Sequence, residues 1–141
     1  LSQLTCNWLL PGRSHCVGEN QTRTQHLSAS LQVINNEIQP DLCNDVLPLA
    51  LIERHRGSSK VVNGFVQGFG FKGSCAVAST VAHDSHHMLV TGTSIQAMSL
   101  AVKTLSNVGG GIVVVRNSEV QALIELTIGG LMSNQRAEYV A

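Results

Sequence analysis

MLVTGTSIQAMSLAVKTLSNVGGGIVVV, residues 88–115, decides the fold. Residues 88–91 are apolar and partly β-branched, and read as a strand. Thr93 or Ser94 then stands where a helix N-cap is needed. Beyond it Ile95, Met98, Ala101, Val102, Leu105 and Val108 recur at intervals of three and four, the spacing of one helix face. Ile95, Met98, Val102 and Leu105 are therefore expected to be buried. Gly109-Gly110-Gly111 ends the helix, because glycine takes the left-handed C-cap conformation without a Cβ clash. Residues 112–115 are continuously apolar, as in a strand buried on both faces. Strand, helix and strand at this spacing predict a β-α-β unit, with a right-handed crossover expected. Asn117-Ser118 suits a tight hairpin turn. The run 119–126 then alternates, with Val120, Ala122, Ile124 and Leu126 expected inward and Glu119, Gln121 and Glu125 outward.

Upstream of this unit the pattern is thinner. Residues 27–34 alternate weakly and read as a strand, followed by a turn at Asn35-Asn36. Asp41 is placed to cap a short helix from Leu42, which Pro48 would interrupt, leaving 49–52 extended instead. Residues 55–59 read as a loop, and 61–66 and 75–81 as strands on either side of a glycine-rich segment. Ser133 can cap a last short helix that includes Ala137 and Val140. Residues 1–13 carry only the turn signal Pro11-Gly12. The sum is a single domain of α+β or α/β class: a mixed β-sheet with a β-α-β unit and a C-terminal hairpin, helices packed on the sheet.

Composition narrows the function. The 141 residues are 43% hydrophobic and only 13% charged, with zero formal net charge. That is a globular composition without an electrostatic footprint for nucleic acid or an acidic membrane surface. No apolar run approaches the roughly 18 residues of a membrane helix. The first residues lack the basic start and apolar stretch of a signal peptide. Leu1 is not an initiator methionine, and the first methionine is Met88, so the chain reads as a piece of a longer one. None of Cys6, Cys16, Cys43 and Cys75 is in C-x-x-C spacing, so a zinc knuckle is unsupported and buried or free thiols in a reducing cytoplasm are expected.

Chemistry concentrates in Val81-Ala82-His83-Asp84-Ser85-His86-His87, where three of the six histidines of the chain fall within five residues beside a carboxylate. Such a group can bind a divalent metal, relay protons or hydrogen-bond across an interface. A plain structural turn, with Asp84 or Ser85 satisfying nearby amides, is the other reading. On an extended segment His83 and His87 would share a face and His86 would oppose them. Asp84, Ser85 and His86 adjoin in sequence and cannot generally reach triad geometry. Gly68-Phe69-Gly70-Phe71-Lys72-Gly73 matches G-x-G-x-x-G, but it runs into a strand, whereas a dinucleotide loop must open a helix. Glu53-Arg54-His55 and Arg56 read as an exposed strand end and solvated turn.

Taken in order, LIERHRG (51–57), NGFVQGFGFKGSCAVASTVAHDSHHMLVTGTS (63–94), VGGGIVVV (108–115) and LTIGGLMS (126–133) resemble the C-terminal region of the adenine deaminase family. The resemblance covers residues 14–141, dense from residue 51, and leaves 1–13 as an unmatched N-terminal segment. His87 stands where the family usually has asparagine, Thr127 where it has proline, and Asn117-Ser118 where it has an aspartate-glycine hairpin. The resemblance implies a parent enzyme, cytoplasmic and homo-oligomeric, that hydrolyses adenine to hypoxanthine and ammonia in purine salvage. It implies a divalent metal, manganese or iron, held by an upstream (β/α)₈ barrel, where metal-bound hydroxide attacks C6 of the purine. This chain is too short for such a barrel and has no H-x-H pair, so no catalytic or metal residue is expected in it. His83, Asp84, Ser85 and His86 are the candidate substrate-proximal or interface residues. The alternative is a non-catalytic structural or interaction domain, and the upstream coding sequence discriminates the two.

Overall fold

The computed structural model of the chain describes residues 3–5, 15–17, 24–25, 27–58 and 60–140. The Pro11-Gly12 signal lies outside them. Short strands β1 (Gln3–Thr5), β4 (Ser30–Ile34) and β5 (Glu37–Ile38) form one small antiparallel sheet in the order β1-β4-β5. Asn35 and Asn36 connect β4 to β5 with φ of 52° and 65°, the left-handed pair that asparagine tolerates and a two-residue hairpin requires. The second sheet contains β2 (His15–Val17), β3 (Thr24–Gln25), β6 (Val46–Ile52), β7 (Val61–Gln67), β8 (Cys75–Ser79), β9 (Met88–Gly92), β10 (Gly111–Arg116) and β11 (Glu119–Glu125). Its order is β11-β10-β8-β9-β6-β7-β2-β3. It is mixed, because β2 runs parallel to β7 while the other pairs are antiparallel.

Helix α1 (Ile95–Val108) connects β9 to β10 as expected, but β8 lies between those strands and pairs antiparallel with each. The β-α-β unit is therefore split. Ser94 is the N-cap, its side chain accepting from the Ala97 amide at 3.3 Å, and Gly109 closes the helix with φ 85°. The face that enters the core is Ala97, Ala101 and Leu105, packed with Ala50, Ala76, Ala78, Val90, Val113 and Val115 of the sheet. The expectation for this helix needs correcting. Leu105 is buried, Met98 and Val102 only flank the core, and Ile95 is 66% exposed. The sheet selects the stripe of small residues because alanine lets the helix axis approach it, leaving larger side chains at the margin. Gly92 shows how close the approach is: a Cβ there would lie 2.7 Å from that of Ala76 and 2.9 Å from Met98 Cγ.

Three further expectations change. Asp41 caps no helix; its carboxylate accepts from the amides of Cys43 and Asn44 at 3.1 Å, making a turn that leads into β6. Pro48 sits inside that strand. Its carbonyl accepts from Thr91 Oγ1 at 2.9 Å, so its missing N–H also faces β9, at a point where the ladder has already ended at Leu49↔Thr91. In β11, Val120 is 41% exposed and Ala122 is exposed, while Leu123 packs on the core opposite Val113. A register shift between Val114 and Val115 displaces the simple alternation. Ser133 accepts from the Gln135 amide and so makes a turn, ahead of the short, mostly exposed α2 (Ala137–Val140). Among the described helices α1 makes the extensive contacts with the sheet.

Leu105→Ala is expected to cost about 2–5 kcal/mol of unfolding free energy, whereas Ile95→Ala should change it by less than about 0.5 kcal/mol. Urea denaturation of both variants checks the face assignment, and the reverse ranking would show that the helix is rotated from this position.

Candidate functional site

Four connections meet at one end of the large sheet: residues 53–60, 80–87, 109–110 and 126–132. Arg54 binds them together. Its Nη1 donates to the carbonyls of His86 (3.2 Å) and Gly129 (3.1 Å), and its Nη2 to that of Gly109 (3.1 Å). A forked, permanently charged donor suits three carbonyls from three loops. Beneath it lies Thr80, fully buried, whose hydroxyl donates to the Gly130 carbonyl at 2.7 Å and accepts from the Gly111 amide at 2.8 Å. Gly130 has φ 74°, where L side chains are strained, and a Cβ there would also lie 2.6 Å from Arg54 Nη2 and displace the guanidinium. The Glu53-Arg54-His55 group, expected as an exposed strand end, is thus the knot of this end. The sequence signal for it was present in LIERHRG, but nothing local says which carbonyls a guanidinium will reach.

Glu53 organises its own loop. Its carboxylate accepts from the amides of His55, Arg56 (2.7 Å) and Ser58 (3.0 Å) and from the Ser58 hydroxyl (2.8 Å). The Ser58 amide first, then that of Arg56, the Ser58 hydroxyl and the His55 amide hold its carboxyl at about 2. His55 Nε2 contacts the Ser85 carbonyl at 3.0 Å, and its ring lies 5.1 Å from that of His87.

The 83–87 segment is a turn, closed by the His86 amide on the Ala82 carbonyl (2.7 Å), with Asp84 at φ 68° and His86 at φ 47°. The extended arrangement, with His83 and His87 on one face, does not occur. His83 and Asp84 pair with each other, Nδ1 to Oδ1 at 3.2 Å, with 95% and 91% of their side chains exposed. Ser85 is exposed, while His86 and His87 are half-buried with both Nδ1 atoms enclosed and without a hydrogen-bond partner. The candidates are therefore brought to one end but divided in environment. The apolar residues Val81, Ile128, Leu131 and Met132 are exposed at the same end. Among the described residues no group of three or more His, Cys, Asp or Glu is arranged to hold a metal.

At the opposite end of the sheet the G-x-G-x-x-G loop is filled from within. Asp45 Oδ2 accepts from the amides of Gly68 (2.9 Å) and Gly70 (2.8 Å), so a carboxylate of the chain itself occupies the amides a phosphate would use. Cys43 and Cys75 are free thiols, and no helix among the described residues is long and apolar enough to cross a membrane.

Fold and site together define an α+β domain with a polar, loop-built end. The chain belongs to the family of adenine deaminase C-terminal domains, whose profile matches residues 21–141. It is 51% identical over 123 residues to an adenine deaminase of Mesorhizobium japonicum, covering 87% of this chain and 20% of that protein. Adenine deaminase 3 of Rhizobium meliloti is also 51% identical over 123 residues, 87% of this chain and 21% of its own length. The adenine deaminase of Moorella thermoacetica is 45% identical over 123 residues, again 87% of this chain and 20% of that protein. The chain thus spans about a fifth of the length of the curated relatives it matches.

Two measurements probe this end. Arg54→Lys keeps the charge but loses the fork, and should cost about 1–3 kcal/mol. Amide exchange should rise in residues 82–87 and 128–132 together, and a rise confined to one loop would show that Arg54 does not join them. The Glu53 carboxyl lies at about 2 in the fold against an ordinary 4.5, so its contribution is fully present above pH 4.5 and lost as pH falls toward 2. Glu53→Gln should flatten that part of the acid stability profile. A variant profile parallel to the unmodified one would mean that the amide cradle contributes nothing.

Proposed function

We propose that this chain is the C-terminal domain of an enzyme that hydrolyses adenine to hypoxanthine and ammonia, acting in purine salvage in the cytoplasm. The observation that carries this is the identity of about half over most of the chain with proteins named adenine deaminase. On this reading the domain runs from residue 14 to 141, with 1–13 leading into it. The divalent metal, manganese or iron, and the attacking water belong to a barrel domain in the larger part of the polypeptide, since 141 residues are too few for the roughly 200 or more of such a barrel. The 141 residues on their own should leave adenine unchanged with either metal added.

The end built by Arg54 is the part of this domain that meets the catalytic domain or a neighbouring subunit of a homo-oligomer, with His83, Asp84, Ser85 and His86 as its polar contacts. The reason is energetic. A side-chain contact as exposed as that of His83 with Asp84 gives the fold very little. The apolar side chains exposed beside it lie where a partner surface would cover them. His83→Ala in the full-length enzyme should therefore lower kcat/KM or disrupt assembly, while unfolding free energy moves by less than about 0.5 kcal/mol. Kinetics and melting on the same sample check this. Normal kcat/KM with an intact oligomer would remove the loop from the functional surface.

A further inference from the structure

The large sheet has two apolar faces: α1 covers one, and the other is closed at the β6–β7 margin, where Leu47 and Val66 are 0% and 5% exposed, and opens from Leu49 onward. On the α1 side Ala50, Val90, Ala78 and Val113 lie in one register row at 9%, 2%, 0% and 0% exposure. One residue along, side chains point the other way. There Leu51, Leu89, Ser79, Ile112 and Ile124 form a row across β6, β9, β8, β10 and β11, all only half-buried. A second row runs Leu49, Thr91, Val77, Val114 and Ala122. Of these Leu49, Val77 and Val114 are half-buried and Ala122 is exposed. The hydroxyls in the two rows are turned inward: Ser79 Oγ accepts from the Val81 amide and Thr91 Oγ1 donates to the Pro48 carbonyl. This face therefore offers carbon and no charge. None of its aliphatic residues belongs to the core cluster or packs against it. Among the described helices α1 packs mainly on β8, β9, β10 and β11, from the other side, and α2 is four residues long and mostly exposed.

An antiparallel sheet with one wet face alternates apolar with polar residues, and these strands do not. We infer that the face of β6, β9, β8, β10 and β11 opposite α1 is a second surface, besides the Arg54 end, on which the rest of the same polypeptide packs, through an aliphatic surface of its own. This rests on the reading of the chain as one domain of a longer enzyme. Two observations choose this occupant over a second copy. The chain spans about a fifth of its relatives, so a much larger body is tethered to it. The area also fits: five strands about 4.8 Å apart and about four residues deep give a patch on the order of 300 Å². Covered, that buries roughly 600 Å² in total, at the lower end of the 600–1,500 Å² of interfaces between domains of one chain. It falls short of the roughly 1,200 Å² at which stable association between separate molecules begins.

Thiol labelling tests this. Ile112→Cys, with Val114→Cys as an independent second position, is placed in the 141-residue chain and in the full-length enzyme. Maleimide incorporation is read peptide by peptide, so the native cysteines do not interfere. Both positions should label fast in the 141-residue chain and slow by on the order of tenfold or more in the full-length enzyme, as burial restricts access. Equal rates in the two proteins overturn the proposal. So does slow labelling in the 141-residue chain at every concentration, which would mean the face is covered from within. Protection in the short chain that grows with concentration, alongside a dimer in sedimentation, assigns the face to a second copy and also overturns it. Adenine turnover by the same full-length samples reports separately on the enzyme reading: turnover with equal labelling sinks the interface alone, and protection without turnover sinks only the activity.

Discussion

Close approach between α1 and the sheet is the constraint on which the other parts depend. Ala97, Ala101 and Leu105 share one buried cluster with Ala50, Ala76 and Ala78, and Gly92 leaves no room for a Cβ beside Ala76. Small side chains on both surfaces allow the helix to sit low, so that Leu105 can fill the space between helix and strands with no exposure at all. That depth sets where α1 ends, and with it where Gly109 offers its carbonyl. The polar end is assembled from that point.

Arg54 reads out this placement. Its guanidinium reaches the Gly109 carbonyl at the helix terminus, the His86 carbonyl in the β8–β9 connection and the Gly129 carbonyl after β11. Thr80 ties the same segments from below through Gly111 and Gly130. Carbonyls at loop ends have no ladder partner, and those of half-buried His86 and buried Gly130 would cost free energy if left unpaired, while Gly109 and Gly129 are exposed. The arginine and threonine satisfy these groups and so hold four connections in one arrangement. The exposed His83–Asp84 pair stands on that platform and makes its contact within itself.

The two ends of the sheet differ in kind. At one, Asp45 fills the amides of the Gly68–Gly70 loop, so a motif with the spacing of a phosphate cradle is satisfied by its own chain. At the other, Glu53 is likewise wrapped by amides, but the loop it shapes presents Arg54 and His55 to neighbouring segments. Similar local chemistry, a carboxylate in a turn of N–H groups, closes a loop in one place and builds a junction in the other. The difference lies in what the next residues can reach.

Much of the architecture was legible in the residues themselves. Periodicity and the Ser94 and Gly109 caps located α1, the Asn35-Asn36 and Asn117-Ser118 pairs located two hairpins, and the apolar runs located β7, β8, β9 and β10, because each is a matter of local backbone preference. The motifs in order also carried the family. What the sequence left open is what depends on partners far along the chain. Which stripe of α1 faces the sheet follows from the distance to Ala76 and Ala78, so Ile95 could look buried and prove exposed. Whether β9 and β10 pair directly depended on β8 entering between them, and whether Val120 turned inward depended on a bulge at Val114 and Val115. The role of Arg54 depended on carbonyls 32, 55 and 75 residues away. Propensity acts over a few residues and settles elements; the contacts that decide faces, neighbours and junctions are made between segments that only the folded chain brings together.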